Sequence, residues 1–571
     1  MTAPSSSLAS RRGALYPSHG TSAGALLRSL PQPALLLIFL ILMGAPVLAV
    51  LAQAAPLWDR WAALFTPEML QALRNTLVLG LLVSLLSAAL AFLTAWAMSA
   101  LGIAQNPLAR TLSLVPFMGP PYLMSMGWIM FMDPNGYMSH LAPALAGLSG
   151  PFFSLWGLVL IMALHLFPIS LIAMLQAIET VRIRYDPPAR AHGATLSYRI
   201  LRVWLPVMAP GLLGATMLVF VKTIGEFGAP LVFGSMVQFP VLTTAIYLKM
   251  TNWPIDFGAA AQLSTLLLLV VFLVWYGNDL YQRRTRLVQD SGTSAHRAAP
   301  PSLAVRYLAA LGLGGIGLLS LAIPMGSLLV TSLLRIEGDG AVLRNLSLAH
   351  YAAIFAAGGV AGQALLSSLR LALLAATAAL LLSLALAVAA RFLPSRLVHW
   401  TEWLGLLPNA IPDVLLAIGL ILFWNARWLP FTPYDTSGML AVGFVIVLFP
   451  FCFTYVRTAL FRLPATTWDA ARVHQGGRLT IARRIVLPLL APGMVAGWTM
   501  VFAVAMRDLV VPMLLSPPNS TLVSTYIYGQ YLQGSLPDAA ALAVVTLLVT
   551  VVLLAAVQWW SLRSRSRGAM L

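Results

Sequence analysis

The sequence is poor in charge and in cysteine. Only 9% of its 571 residues are charged and 60% are hydrophobic. Soluble domains carry about 25% charged residues, so the polar surface that a water-facing globule needs is missing. The single cysteine, Cys452, excludes a disulfide within the chain, a thiolate zinc cluster and CxxC redox chemistry. Lysine occurs twice, as Lys222 and Lys249. Neither follows a glycine, so the phosphate-cradling loop G-x-x-x-x-G-K-[ST] is absent. The eight histidines form no HxxxH or HExxH pair, and no nucleophile–base constellation stands out. Neither a metal site nor a catalytic residue is expected.

What the chain has instead is long apolar runs. A membrane-crossing helix needs about 20 mainly apolar residues. Twelve segments qualify: 33–55, 74–99, 108–131, 153–176, 208–234, 260–281, 306–334, 365–392, 402–425, 438–460, 490–515 and 540–562. Their length predicts helices, since barrel strands would be about 10 residues of alternating polarity. The expected class is an all-α polytopic membrane protein embedded in a lipid bilayer. The expected layout is a polar tail (1–32), a first six-span unit (33–282), a linker (283–305), a second unit (306–562) and a short basic tail (563–571). Arg11-Arg12 lies some 20 residues before the first apolar run, which is too long for a cleavable signal core. Cytoplasmic retention of this segment is therefore expected, not export by a twin-arginine signal.

The net charge of +17 comes from 34 basic and 17 acidic residues. The arginines sit in clusters between apolar runs with no aromatic-interleaved basic face, so nucleic acid is not an expected partner. With the N-terminus inside, 25 of the 34 basic residues fall on the cytoplasmic side. The positive-inside tendency therefore places both termini in the cytoplasm.

The chain also resembles itself. At an offset of 282 residues, 187–230 aligns without gaps to 469–512, with 12 of 44 positions identical. The matches include Leu205-Pro206 with Leu487-Pro488, Ala209-Pro210-Gly211 with Ala491-Pro492-Gly493, and Pro230 with Pro512. Upstream, at an offset of 292, Pro116, Pro120 and Gly127 match Pro408, Pro412 and Gly419. Trp61-Ala62-Ala63-Leu64-Phe65 echoes Tyr351-Ala352-Ala353-Ile354-Phe355, and Leu242-Thr243-Thr244-Ala245-Ile246-Tyr247 parallels Val523-Ser524-Thr525-Tyr526-Ile527-Tyr528. Six spans per unit is an even number, so the two copies run in the same direction and form a parallel repeat.

The segment after the fourth span of each unit is the most informative. In the first unit Ala189, Arg190, His192, Gly193 and Ala194 follow Pro187-Pro188. In the second the sequence reads Asp469-Ala470-Ala471-Arg472-Val473-His474-Gln475-Gly476. Each predicts a short helix, a glycine turn and a basic segment along the membrane surface, then Leu-Pro and Pro-Gly at the entry to the next span. An interfacial helix with lipid-facing arginines would share these features, but the recurrence in both units favours a docking surface.

These paired loops resemble the cytoplasmic E-A-A-x-x-x-G loop of the integral-membrane permeases of ABC importers, as two fused binding-protein-dependent (MetI-like) units. The resemblance implies a type I importer permease of about twelve helices. It also implies two separate ATP-hydrolysing subunits that receive the loops as coupling helices, ATP–Mg on those subunits with no cofactor bound by this chain, and a periplasmic solute-binding protein. The implied place is the bacterial inner membrane. Pro187 stands where the family has its acid, unless Asp186 substitutes, and Gln475 stands where it has glycine, with Gly476 following. Unequal docking sites are therefore expected.

Ionisable residues inside spans are functional candidates. Glu226 and Asp508 occupy equivalent positions in the fifth spans, with Lys222 and Arg507 near them. Asp413 lies near mid-membrane, opposite Pro121 in the repeat. Lining of the pathway, self-neutralising ion pairs and a helix-break role for Asp413 all remain open at this point. Met118, Met124, Met126, Met130 and Met132 read as core filling. The fused layout, Gly225-Glu226-Phe227-Gly228-Ala229-Pro230 and Arg507-Asp508 resemble ferric-iron importer permeases. Thiamine and phosphonate permeases share much of the layout, and a self-contained twelve-helix secondary transporter is the rival class.

Overall fold

The structure, a computed structural model, describes residues 32–56, 66–284, 302–392, 405–406, 408, 411–463, 485–518 and 520–568. Within these residues the chain is helical, and its β-structure is one antiparallel bridge between Leu334 and Leu346. The first unit contains α1 (Gln32–Ala54), α2 (Pro67–Ala100), α3 (Pro107–Met118), α4 (Pro121–Met132) and α5 (Leu155–Thr180). It continues with α6 (Asp186–Ala191), α7 (Leu205–Gly225), α8 (Leu242–Thr251) and α9 (Phe257–Arg284). The second contains α10 (Leu303–Leu333), α11 (Val360–Phe392), α12 (Asp413–Trp424), α13 (Ser437–Phe461) and α14 (Leu487–Ala505). The short helices α15 (Val510–Leu515) and α16 (Val523–Leu532) lead to α17 (Leu536–Gly568).

Among the described residues nine helices are long and apolar enough to cross a membrane. The other three predicted spans appear as the apolar stretch Ile41–Ala54 of α1, the interrupted pair α3–α4, and α12. The helices begin where the sequence supplies caps. Thr66 accepts from the Met69 N–H ahead of Pro67, Asn106 accepts from Leu108 and Ala109 ahead of Pro107, and Ser154 and Thr436 accept from Trp156 and Gly438. A side-chain oxygen at that position satisfies an N–H that has no partner within the helix.

Four predicted spans are corrected, the first being 402–425, which breaks at Ile411–Pro412 so that α12 starts only at Asp413. The run 108–131 is two helices, because Gly119 and Pro120 interrupt it and proline has no N–H for the ladder. The run 208–234 stops as a regular helix at Gly225, and 490–515 stops at Ala505. In both cases the chain turns and re-enters the protein as a short helix. Continuous hydropathy does not register such a turn, because the turn residues are themselves apolar.

The duplication is visible atom by atom at these re-entrant turns. Thr76 on α2 accepts the Leu242 N–H at 2.8 Å, and Ser368 on α11 accepts the Val523 N–H at 2.9 Å. The Thr244 and Thr525 hydroxyls accept from the N–H groups of Val241 and Leu522 at 3.2 and 3.1 Å. The recurring Thr-containing motif is thus a pair of helix N-terminal caps, buried where water could not supply them.

The two units interlock. Helix α1 packs on α12, and α10 packs on α4, so the first span of each unit lies against the third span of the other. Two glycines allow this approach. A Cβ on Gly127 would fall 2.2 Å from the Pro324 carbonyl oxygen, and one on Gly419 would fall 2.3 Å from that of Pro46. At the centre, Val414–Ile421 of α12 and Tyr122–Met130 of α4 are buried. Met124, Met126, Met130 and Met132 belong to this core, and Met118 is exposed.

Candidate functional site

Two regions carry the polar chemistry. The first is the corner between α5 and α7. Helix α5 continues through a wide turn, Val181–Tyr185, into α6, and a second wide turn, Ile200–Trp204, leads into α7. Helix α6 ends in a left-handed glycine, Gly193, at φ +72°. The Gly193 N–H donates to Arg190 O at 2.9 Å and the Ala194 N–H to Ala189 O at 3.1 Å. These two bonds form the Schellman closure, which glycine adopts without a Cβ clash. His192 Nδ1 donates to Pro188 O at 2.8 Å. Pro187, Pro188 and Arg190 to Gly193 are exposed, while Ala189 and Ala194 are half-buried. The first-unit residues predicted to dock therefore form one largely exposed turn.

Asp186, raised in the sequence only as a stand-in for the family acid, is instead turned inward. It is 3% exposed. Oδ2 accepts from Arg190 Nε at 2.7 Å, and Oδ1 accepts from Arg199 Nε at 2.6 Å and Trp204 Nε1 at 3.0 Å. Its oxygens are engaged within the chain. The second-unit counterparts Asp469, Ala470, Ala471, Arg472, His474, Gln475 and Gly476 lie outside the described residues.

The second region lies at the meeting of the two units. Glu226 follows the last residue of α7 and accepts the Gly228 N–H at 3.0 Å. Asp508 follows α14 and accepts the Val511 N–H at 2.9 Å. Each carboxylate thus accepts a backbone N–H just beyond it at the start of a re-entrant turn, two residues on at Glu226 and three residues on at Asp508. Asp413 opens α12, and Gly225 at the end of α7 lies against Pro412, just ahead of it. Asp508 lies within electrostatic reach of Asp413, Glu226 and Arg507, and Asp413 lies within reach of Lys222. Glu226, Asp413 and Asp508 are each half-buried.

Arg507 is not used as a simple ion-pair partner for its neighbour. Its Nη1 donates across the unit boundary to the carbonyls of Phe117 at 3.0 Å and Gly119 at 2.9 Å, and the guanidinium lies 5.9 Å from the Phe117 ring centre. Those carbonyls are the ones left without helical partners by the Gly119–Pro120 interruption. His165 Nδ1 donates to Pro116 O at 3.0 Å on the same edge. Sequence reading placed Arg507 beside Asp508 but missed this reach. The available signal was the proline break itself, which obliges some donor to approach. Among the described residues no group of three His, Cys, Asp or Glu side chains is arranged to hold a metal ion. A groove of about 1280 Å³ lies elsewhere, between α1 and the C-terminal end of α12, lined largely by apolar residues such as Leu48, Ala52, Trp424 and Trp428.

Interlocked apolar spans, a protruding basic corner and charges buried between two repeats define a multi-pass membrane permease. The chain belongs to the family described as binding-protein-dependent transport system inner membrane component, which it matches twice, over residues 87–287 and 379–565. It is 23% identical over 464 residues to the ferric transport system permease protein FbpB of Actinobacillus pleuropneumoniae, covering 79% of this chain and 65% of that protein. This chain thus spans slightly less than two thirds of that relative's length. The putative 2-aminoethylphosphonate transport system permease protein PhnV of Salmonella typhimurium (strain LT2) is 27% identical over 232 residues, 41% of this chain and 86% of PhnV. The spermidine/putrescine transport system permease protein PotB of Haemophilus influenzae is 25% identical over 234 residues, 40% of this chain and 82% of PotB.

Proposed function

We propose that the chain forms the translocation pathway of an ATP-driven importer in a bacterial inner membrane, with both termini in the cytoplasm. Two ATPase subunits seat the paired loops, hydrolyse ATP–Mg and drive the two units between inward-open and outward-open states. A periplasmic binding protein delivers the solute. The observation that carries this reading is the exposed, glycine-closed turn at Pro187–Ala194, placed at the entry to span five and repeated in sequence as Asp469–Gly476. Glu226, Asp413 and Asp508 line the pathway where the two units meet.

Ferric iron is the proposed cargo. The similarity to FbpB runs through both units, whereas PhnV and PotB each match a single unit's length. Three carboxylates against two cations also suit a cationic solute. Loss of radio-iron uptake on deletion of the gene, with phosphonate and polyamine uptake unchanged, is the expected result. Unchanged iron uptake would move the cargo to one of the other solute classes.

Exchange of Gly193 and Gly476 for valine tests the docking loops. At Gly193 the added Cβ meets nothing within 4 Å, so the burden is conformational, about 1–2 kcal/mol for a left-handed residue. ATPase activity stimulated by the binding protein is expected to be lost while membrane insertion persists. Full stimulation would count against the assignment.

A further inference from the structure

We propose that Asp186 is a positioning residue that joins the docking turn of the first unit to the root of span five, so that the two move as one body. The second unit does not carry the same residues at the equivalent positions. The inference rests on the docking reading above and goes beyond it, because it assigns the two loops different mechanical roles.

The geometry carries it. Helix α6 has six residues, too few to hold its own orientation. The Asp186 carboxylate, almost wholly buried, collects donors from three places in the chain. Arg190 lies on α6 itself, Arg199 lies on the segment beyond the glycine turn, and Trp204 lies one residue before α7. Arg199 Nη2 also sits 2.6 Å from Oδ1, with the Arg199 side chain 10% exposed, and the guanidinium lies 6.0 Å from the Trp204 ring centre. A buried carboxylate that accepts several charge-assisted bonds is held tightly, because each donor would be costly to strand. Force applied to the exposed face of α6 therefore passes through Asp186 into Trp204 and α7 without relying on the glycine hinge.

The repeat provides the comparison. At the offset of 282 residues, Asp186, Arg199 and Trp204 correspond to Trp468, Ile481 and Val486, and Arg190 alone keeps its counterpart, Arg472. The acceptor and two of its three donors are therefore absent from the equivalent positions, and the second unit's acid, Asp469, stands one residue later, opposite Pro187. The unit that lost the family acid at Pro187 has gained an internal clamp one residue earlier.

The test uses the assembled transporter in nanodiscs, with Cys452 replaced by serine and spin labels placed at Pro188 and at Leu213 on α7. In the parent, the label separation is expected to stay fixed on ATP binding and trapping. In Asp186→Asn it is expected to change between states, and transport per ATP should fall by about fivefold or more, the low end of site-to-site coupling. Because that exchange strands Arg199, a companion triple variant (Asp186→Trp, Arg199→Ile, Trp204→Val) carries the second unit's residues and leaves no buried charge. It is expected to insert and bind the ATPase like the parent, yet to show the same loosened separation and the same loss. Should the single variant fail to insert, the triple variant decides. A fixed separation with the parent's transport per ATP in the triple variant would overturn the joint while leaving docking intact. If the Pro188 label in the parent sensed no ATPase at all, the docking reading itself would fall, and the joint with it.

Discussion

Replacing Gly419 with leucine is expected to cause the largest loss of folded protein of any single exchange in the membrane core. The site is closed by backbone, not by a side chain that could rotate away. A Cβ there would lie 2.3 Å from the Pro46 oxygen and 2.6 Å from its carbonyl carbon. Helix α1 would have to leave α12, undoing one of the two crossings that hold the units together. Overpacking of this kind costs about 1–3 kcal/mol and occasionally more, and leucine adds three carbons beyond the Cβ. Gly127→Leu is expected to do the same at the α4–α10 crossing, where the Pro324 oxygen stands 2.2 Å away. Gly315→Ala is the control, since nothing lies within 4 Å of its added Cβ and alanine is the better helix former by about 1 kcal/mol. Thermal unfolding in detergent should show a clear fall in midpoint for both leucine variants and none for Gly315→Ala. A Gly419→Leu protein as stable as the parent would contradict the interlocked arrangement.

The second large effect is expected at Arg507. Its guanidinium fastens the second unit to the broken span of the first through the Phe117 and Gly119 carbonyls, and the proposed alternation between inward-open and outward-open states would move the two units against each other there. Hydrogen bonds to a charged group contribute about 1.5–3 kcal/mol, which corresponds to roughly a ten- to hundredfold shift between two conformations. Arg507→Met, which keeps the length and loses the donors, is expected to release the latch, abolish uptake and raise basal ATPase activity. Arg507→Lys keeps the charge but lacks the planar fork, so an intermediate phenotype is expected. Uptake and basal hydrolysis at the parent's level in Arg507→Met would show that this contact does not hold the resting state.

The class of the protein was legible in the sequence because membrane burial imposes a length and a composition that few other constraints mimic. The repeat was legible for a related reason. Prolines and glycines mark backbone geometry, so Pro116, Pro120 and Gly127 kept their register with Pro408, Pro412 and Gly419 through a diverged apolar background. The partners of those landmarks were not legible. Nothing in the string says that Gly419 faces Pro46 or that Gly127 faces Pro324, since both contacts join distant segments across the two units. The ends of spans five were misplaced by the same blindness of hydropathy to a turn made of apolar residues. At the candidate site, the equivalence of Glu226 and Asp508 could be read from register, and both carboxylates accept a backbone N–H a few residues on, though from non-equivalent positions. The inward rotation of Asp186 and the cross-unit reach of Arg507 could not, because each depends on where a long side chain finds an acceptor in three dimensions.

In the proposed function this membrane domain is driven from outside through its paired loops. Purified chain reconstituted alone in vesicles, with ferric iron presented under an imposed proton or sodium gradient, tests it most directly. No accumulation is expected until the ATPase subunits, ATP–Mg and the loaded binding protein are supplied, after which uptake should follow ATP consumption. Solute movement by the chain alone, powered by the ion gradient, would contradict the assignment.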